Sequence, residues 1–131
     1  MVTGAILVVE DDTTLVRSIV RNLTARGYAV RSAETVATAV QALDVECPDL
    51  VLLDIDLPDG SGWDVLRSLR AGTCADAAVI VISALRPNAR LAGEFRCVAV
   101  LEKPFPMESL LRLITESLNH VEGEASQEVI P

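Results

Sequence analysis

The chain has 131 residues, 50% of them hydrophobic but only 3% aromatic, which bounds it to one domain with an aliphatic core. Nineteen acidic residues against eleven Lys and Arg leave a formal charge of −8, which argues against binding a nucleic-acid backbone and for cations or basic patches as partners. The longest apolar runs fall far short of a membrane span, and the first ten residues carry no basic, signal-like start.

The first predicted element is a buried strand, Ala5-Ile6-Leu7-Val8-Val9, which runs straight into Glu10, Asp11 and Asp12. Asp12 or Thr13 can cap a helix that places Leu15, Val16, Ile19, Val20 and Leu23 on one side, and Gly27 stops it. Residues 28–32 alternate in character, as a strand at a sheet edge does, and a second helix over 35–43 follows. Then comes the stretch that organises the chain. Leu50-Val51-Leu52-Leu53 is a continuous apolar run that ends at Asp54 and passes into a turn, Leu57-Pro58-Asp59-Gly60. Such a run signals a strand buried on both faces, as in a parallel sheet covered by helices. Ligands of open parallel sheets lie beyond the carboxyl ends of the strands, so Asp54 is placed for chemistry.

A third helix over 62–70 carries Leu66, Leu69 and a packing residue, Trp63. Residues 77–82 form a fourth buried strand ending at Ser83-Ala84. Pro87 and Asn88 favour a turn, leaving only a short helix over 89–95. A fifth strand over 97–101 is followed by Glu102-Lys103-Pro104-Phe105, and a last helix over 106–120 buries Leu110, Leu111, Ile114 and Leu118. Residues 1–121 are therefore read as the domain and 122–131 as an acidic, flexible tail. The class is α/β, a (βα)5 doubly wound parallel five-stranded sheet.

If the first strand neighbours the Asp54 strand, Glu10 and Asp11 converge with Asp54. Carboxylates so close demand a cation, and an open site of hard oxygens suits Mg2+ and phosphoryl transfer to an aspartate. Val8-Val9-Glu10-Asp11, Leu52-Leu53-Asp54 with Leu57-Pro58 and Gly62, Ser83-Ala84, and Lys103-Pro104-Phe105 occur in an order that resembles the receiver domain of two-component response regulators, over about residues 5–120. The resemblance implies a flavodoxin-like sheet of strand order 2-1-3-4-5, with Asp54 as phosphoacceptor and Asp11 and Glu10 at the Mg2+ ion. It also implies a backbone carbonyl from Asp56 to the metal, Ser83 and Lys103 on phosphoryl oxygens, and a cis peptide at Lys103-Pro104.

The implied partners are a sensor histidine kinase or phosphotransfer protein and an output protein, with homodimerisation through the last strand and helix open to it. No enzymatic turnover is expected beyond chemistry on Asp54 itself. The family usually carries an aromatic three residues before the lysine, and here that position is Val100, which has no ring to reorient. Together with the reduced fourth helix, Val100 leaves a phosphorylation-independent interaction module as the alternative. An aspartyl-phosphate hydrolase is the third reading, although such enzymes carry the nucleophile on the first strand. Asp56 and Leu85 add a charged and an apolar side chain beside the site. No helix-turn-helix segment follows the last helix, so the chain reads as a stand-alone receiver or part of a longer regulator. Cys47, Cys74 and Cys97 are odd in number and widely spaced, which argues against zinc and a disulfide framework and for reduced thiols in a cytoplasmic protein.

Overall fold

The computed structural model describes residues 4–84 and 88–122. The acidic tail expected over 122–131 and the expected contribution of Leu85 thus lie almost wholly outside the described residues.

Among the described residues, seven strands and five helices run in order: β1 Ala5–Val9, α1 Thr13–Ala25, β2 Ala29–Ala33, α2 Val36–Val45, β3 Leu50–Asp54, β4 Asp56–Leu57, β5 Gly60–Ser61, α3 Gly62–Ala71, β6 Ala78–Ser83, α4 Ala89–Glu94, β7 Ala99–Glu102 and α5 Met107–Glu122. Five strands form one sheet in the order β2-β1-β3-β6-β7, and every pairing in it is parallel. That is the expected 2-1-3-4-5 arrangement, with β4 and β5 forming a separate antiparallel pair. Among the described residues, no helix is long and apolar enough to cross a membrane.

Alternate residues of a strand point to opposite faces, so each apolar run feeds two cores. Leu7, Val9, Val51, Leu53, Val79 and Val81 pack with residues of α2 and α3, including Leu43, Leu66 and Leu69. Ile6, Val8, Leu50, Leu52, Ile80 and Ile82 pack on the other face with Ile19, Leu23, Leu110 and Ile114 from α1 and α5. Continuous hydrophobic runs in β1, β3 and β6 are the consequence of burial on both sides.

Several boundaries differ from expectation by one to three residues, and hydrogen bonds explain where. Tyr28 belongs to the stop of α1, since its N–H returns to the Leu23 carbonyl and Gly27 takes a positive φ of 96°. Ala77 closes a turn onto the Cys74 carbonyl, so β6 begins one residue later. Cys97 likewise donates to Ala92 and closes the end of α4, which delays β7 to Ala99.

One expectation fails outright. Cys47 and Cys74 form a disulfide with a Cα–Cα separation of 5.3 Å, leaving Cys97 as the free thiol. Chain spacing gave no sign of it, because the pairing is made by sheet adjacency. Cys47 precedes β3 and Cys74 precedes β6; these strands are neighbours, with Leu50 opposite Ala78.

Candidate functional site

The carboxyl ends of four strands meet at one edge of the sheet. Leu53 pairs with Val9, Asp54 with Ile82, and Ser83 with Glu102, so Glu10, Asp54, Ser83 and Lys103 are brought to one level by strand register alone. Glu10, Asp54 and Ser83 are buried, while Asp11 faces solvent. Carboxylate oxygens of Glu10, Asp11 and Asp54 lie within 4.8 Å of one another. The convergence expected from sequence is thus present.

Local backbone contacts orient each acid. The Asp56 N–H donates to Asp54 Oδ1 at 2.9 Å, and Lys103 Nζ donates to Asp54 Oδ2 at 3.1 Å, so both carboxylate oxygens are held. The Asp12 N–H donates to Glu10 Oε2 at 3.1 Å, while the Asp12 side chain accepts from Leu15 N and caps α1. Asp12 is therefore a cap, and Glu10 and Asp11 are left to the site. The Asp56 side chain is exposed.

Lys103 is delivered by the backbone as well. Its N–H donates to the Ser83 carbonyl at 2.8 Å, continuing the β6–β7 ladder by one step, and the Lys103–Pro104 peptide is cis, as expected from sequence. The ammonium then reaches Glu10 Oε1 at 2.7 Å as well as Asp54.

Gly62 is the close approach that this packing requires. Its N–H donates to the Ile55 carbonyl at 2.8 Å, and a Cβ there would lie 2.5 Å from the Asp54 carbonyl oxygen. Only glycine lets α3 start so near the acid.

Charge at the site is unbalanced. Burial pushes the Glu10 carboxyl up to about 7; the Lys103 ammonium and the Asp12 N–H pull it down, and neighbouring Asp54 pushes it up again. For Lys103 burial acts to lower the pKa, but its pairing with the Glu10 and Asp54 carboxylates outweighs that and holds the ammonium above its usual value. One ammonium faces three carboxylates. Glu10 Oε1 is buried and, despite the nearby ammonium, lacks a well-aligned hydrogen-bond donor. An acid-rich, oxygen-only pocket with an unsatisfied buried oxygen and one exposed carboxylate fits a divalent cation that keeps part of its water, such as Mg2+. An open groove of about 400 Å³ adjoins it, lined by Asp12, Leu15, Ser18, Lys103 and Phe105.

Sequence reasoning missed Asp59. Its two carboxylate oxygens accept from Val36 N at 2.7 Å and Ala37 N at 3.1 Å, so the β4–β5 turn caps α2 from outside its own element. Those N–H groups hold the Asp59 carboxyl below its usual pKa. The Asp-Gly dipeptide signalled a turn, but nothing local signalled its distant acceptors.

Comparisons with known proteins agree with this geometry. The family described as response regulator receiver domain matches residues 6–115. The chain is 37% identical over 129 residues to the transcriptional regulatory protein KdpE of Mycobacterium tuberculosis, covering 95% of this chain and 56% of that protein. It is 32% identical over 114 residues to the acid tolerance regulatory protein ActR of Rhizobium meliloti, covering 86% of this chain and 58% of that protein. The chain thus spans little more than half the length of these relatives. Among solved structures, it is similar to a CheY-like response regulator receiver domain protein from Methanospirillum hungatei JF-1, with a TM-score of 0.86, 28% identity, and coverage of 94% of this chain and 99% of that one. A beryllofluoride-activated DrrB receiver domain superposes with a TM-score of 0.78 at 27% identity, covering 90% of this chain and 99% of that one.

Proposed function

Since the chain belongs to the response regulator receiver domain family, and its acidic triad and Lys103 ion pairs match the family's phosphoacceptor site, we propose that Asp54 takes a phosphoryl group from a histidine kinase or phosphotransfer protein. In this reading an Asp54 oxygen attacks phosphorus, the P–N bond of a phosphohistidine donor breaks, and the released imidazole takes up a proton. Glu10, Asp11, Asp54 and the backbone carbonyl of Asp56 would hold Mg2+. When bound, the ion supplies positive charge to the phosphoryl oxygens. Lys103 leaves its Asp54 contact to follow a phosphoryl oxygen, and Ser83 donates to another. Hydrolysis of the acyl phosphate returns the carboxylate, so the chemistry begins and ends on Asp54 and is regulatory.

The observation that carries this reading is the convergence of three carboxylates and one ammonium at the strand ends. Incubation with acetyl phosphate and Mg2+ should add one phosphoryl unit, read by intact mass. No adduct on the wild type, or an equal one on Asp54→Ala, would overturn it.

The signalling output passes to a partner protein, and a cytoplasmic location follows from meeting a kinase there. Homodimerisation would use β7 and α5, where Val100 on β7 is 40% exposed and Val98, just before that strand, 53%. Val100, in the position usually aromatic, favours a second reading, an interaction module indifferent to phosphorylation. Unchanged partner affinity after stoichiometric phosphorylation would select it.

A further inference from the structure

The Cys47–Cys74 disulfide lies at the amino-terminal ends of β3 and β6, the sheet edge opposite the acids. Cys47 is exposed and Cys74 buried, and both border an open cleft of about 260 Å³ with Thr73, Asp49 and Asp76. One sulfur is therefore open to attack and the other is shielded.

The turn just beyond Cys74 ties this bond to the rest of the fold. Arg70, near the end of α3, projects a half-buried guanidinium among four backbone carbonyls. Its Nη1 donates to Ala75 and Ala77 at 2.7 Å each, in the turn that Cys74 anchors. Its Nε donates to Phe95 at 2.8 Å and its Nη2 to Arg96 at 3.2 Å, at the stop of α4. Arg96 there takes a positive φ of 59°, and its N–H donates to Gly93. A planar guanidinium presents its donors in a fixed fork, so the two turns it spans hold one another in place. Beyond Arg96 the chain enters β7 and reaches Lys103.

We propose that Cys47–Cys74 is a dithiol-reducible site whose redox state is read at the end of α4 through the Arg70 fork. A thiolate of the dithiol attacks Cys47 Sγ, the Cys47–Cys74 bond breaks, and Cys74 leaves as a thiolate that takes up a proton. The second thiol of the reductant then attacks the mixed disulfide and frees Cys47. Two electrons and two protons pass from the dithiol, which ends as its own disulfide. Asp49 and Asp76 beside the cleft select a neutral or basic-faced dithiol over an anionic thiol. With the crosslink open, the 73–77 turn gains freedom, and the carbonyls that hold Arg70 no longer fix residues 95–98.

The test uses the whole chain, with dithiothreitol as the reductant and no phosphodonor, so its failure leaves the phosphoacceptor reading untouched. Iodoacetamide labelling in denaturant should mark Cys97 alone before reduction and all three cysteines after it. Three labels without reductant would overturn the proposal. Amide hydrogen exchange at residues 95–98 should quicken by about tenfold on reduction of the wild type, while β1 and β3 stay protected. Equal exchange in the two states would sink the coupling. In Arg70→Gln the same amides should exchange fast in both redox states; a redox response that survives there would remove Arg70 from the path. Cys47→Ser, which cannot form the crosslink, should show the reduced wild-type exchange pattern without any reductant, and the slow oxidised pattern there would count against the coupling.

Discussion

Glu10 is the residue whose environment works hardest against its charge. It is buried, Lys103 compensates it at 2.7 Å, and burial pushes its carboxyl up to about 7. A folded pKa above the unfolded value of about 4.5 means that the native state binds more protons between those limits, so metal-free stability falls as pH rises through that window. Urea unfolding without metal should show a loss on the order of 2 kcal/mol between pH 5 and pH 8, and the slope should flatten in Glu10→Gln. Mg2+ binds only the folded site and should restore more stability at pH 8 than at pH 5. Asp11→Ala should abolish that recovery; equal recovery would exclude Asp11 from the metal. Gly62 permits a second test. Because the atoms a methyl would meet are backbone, at 2.5 Å from the Asp54 carbonyl oxygen and 2.9 Å from Ile55 Cα, they cannot swing aside as a side chain would. Gly62→Ala should cost about 2–3 kcal/mol and slow acetyl phosphate labelling of Asp54, whereas an unchanged urea midpoint would refute the clash.

Elements differ in how openly the sequence announces them, and burial decides it. β1, β3 and β6 are buried on both faces, so their apolar runs were plain. β7 alternates between half-buried and exposed, and its edge position blurred its start. α4 has six residues, too few for a helical period to repeat, and β4 and β5 have two each. The acids were legible because Asp54 ends β3 and Glu10 and Asp11 directly follow β1. The Lys103 contacts to Glu10 and Asp54, the Arg70 fork and the disulfide were not, since each depends on which strands and turns become neighbours. The Asp59 cap belongs with these. Its removal should act on one element: Asp59→Ala should speed hydrogen exchange at Val36 and Ala37, the amides it accepts from in the first turn of α2, and leave α5 unaffected. Acid should mimic it, because a carboxyl with a lowered folded pKa loses its contribution as pH falls through that value.

Across the whole molecule, the acids sit at one end of the sheet and the disulfide at the other, with α4 tied to α3 between them. Trp63 stacks on Phe95 with ring centroids 6.1 Å apart, the Arg67 guanidinium lies 6.0 Å from the Phe95 ring centre, and Arg70 holds the Phe95 and Arg96 carbonyls. A new phosphoryl charge at Asp54 would act first on Lys103 and Ser83, at the ends of β7, the edge strand of the sheet, and of β6 beside it. For that pull to move α4, it would have to break the stack and the fork together, and Val100 offers no ring to pass the motion along the strand. The response should therefore stay near the strand ends while the disulfide is closed. With beryllofluoride and Mg2+, NMR shift changes should concentrate at residues 54–56, 83–84 and 102–105 and spare 89–96 in the oxidised wild type. In Arg70→Gln they should spread into α4. Large changes over 89–96 in the oxidised wild type would mean that the tie between α3 and α4 yields to the phosphoryl mimic, and that the output runs through α4 after all.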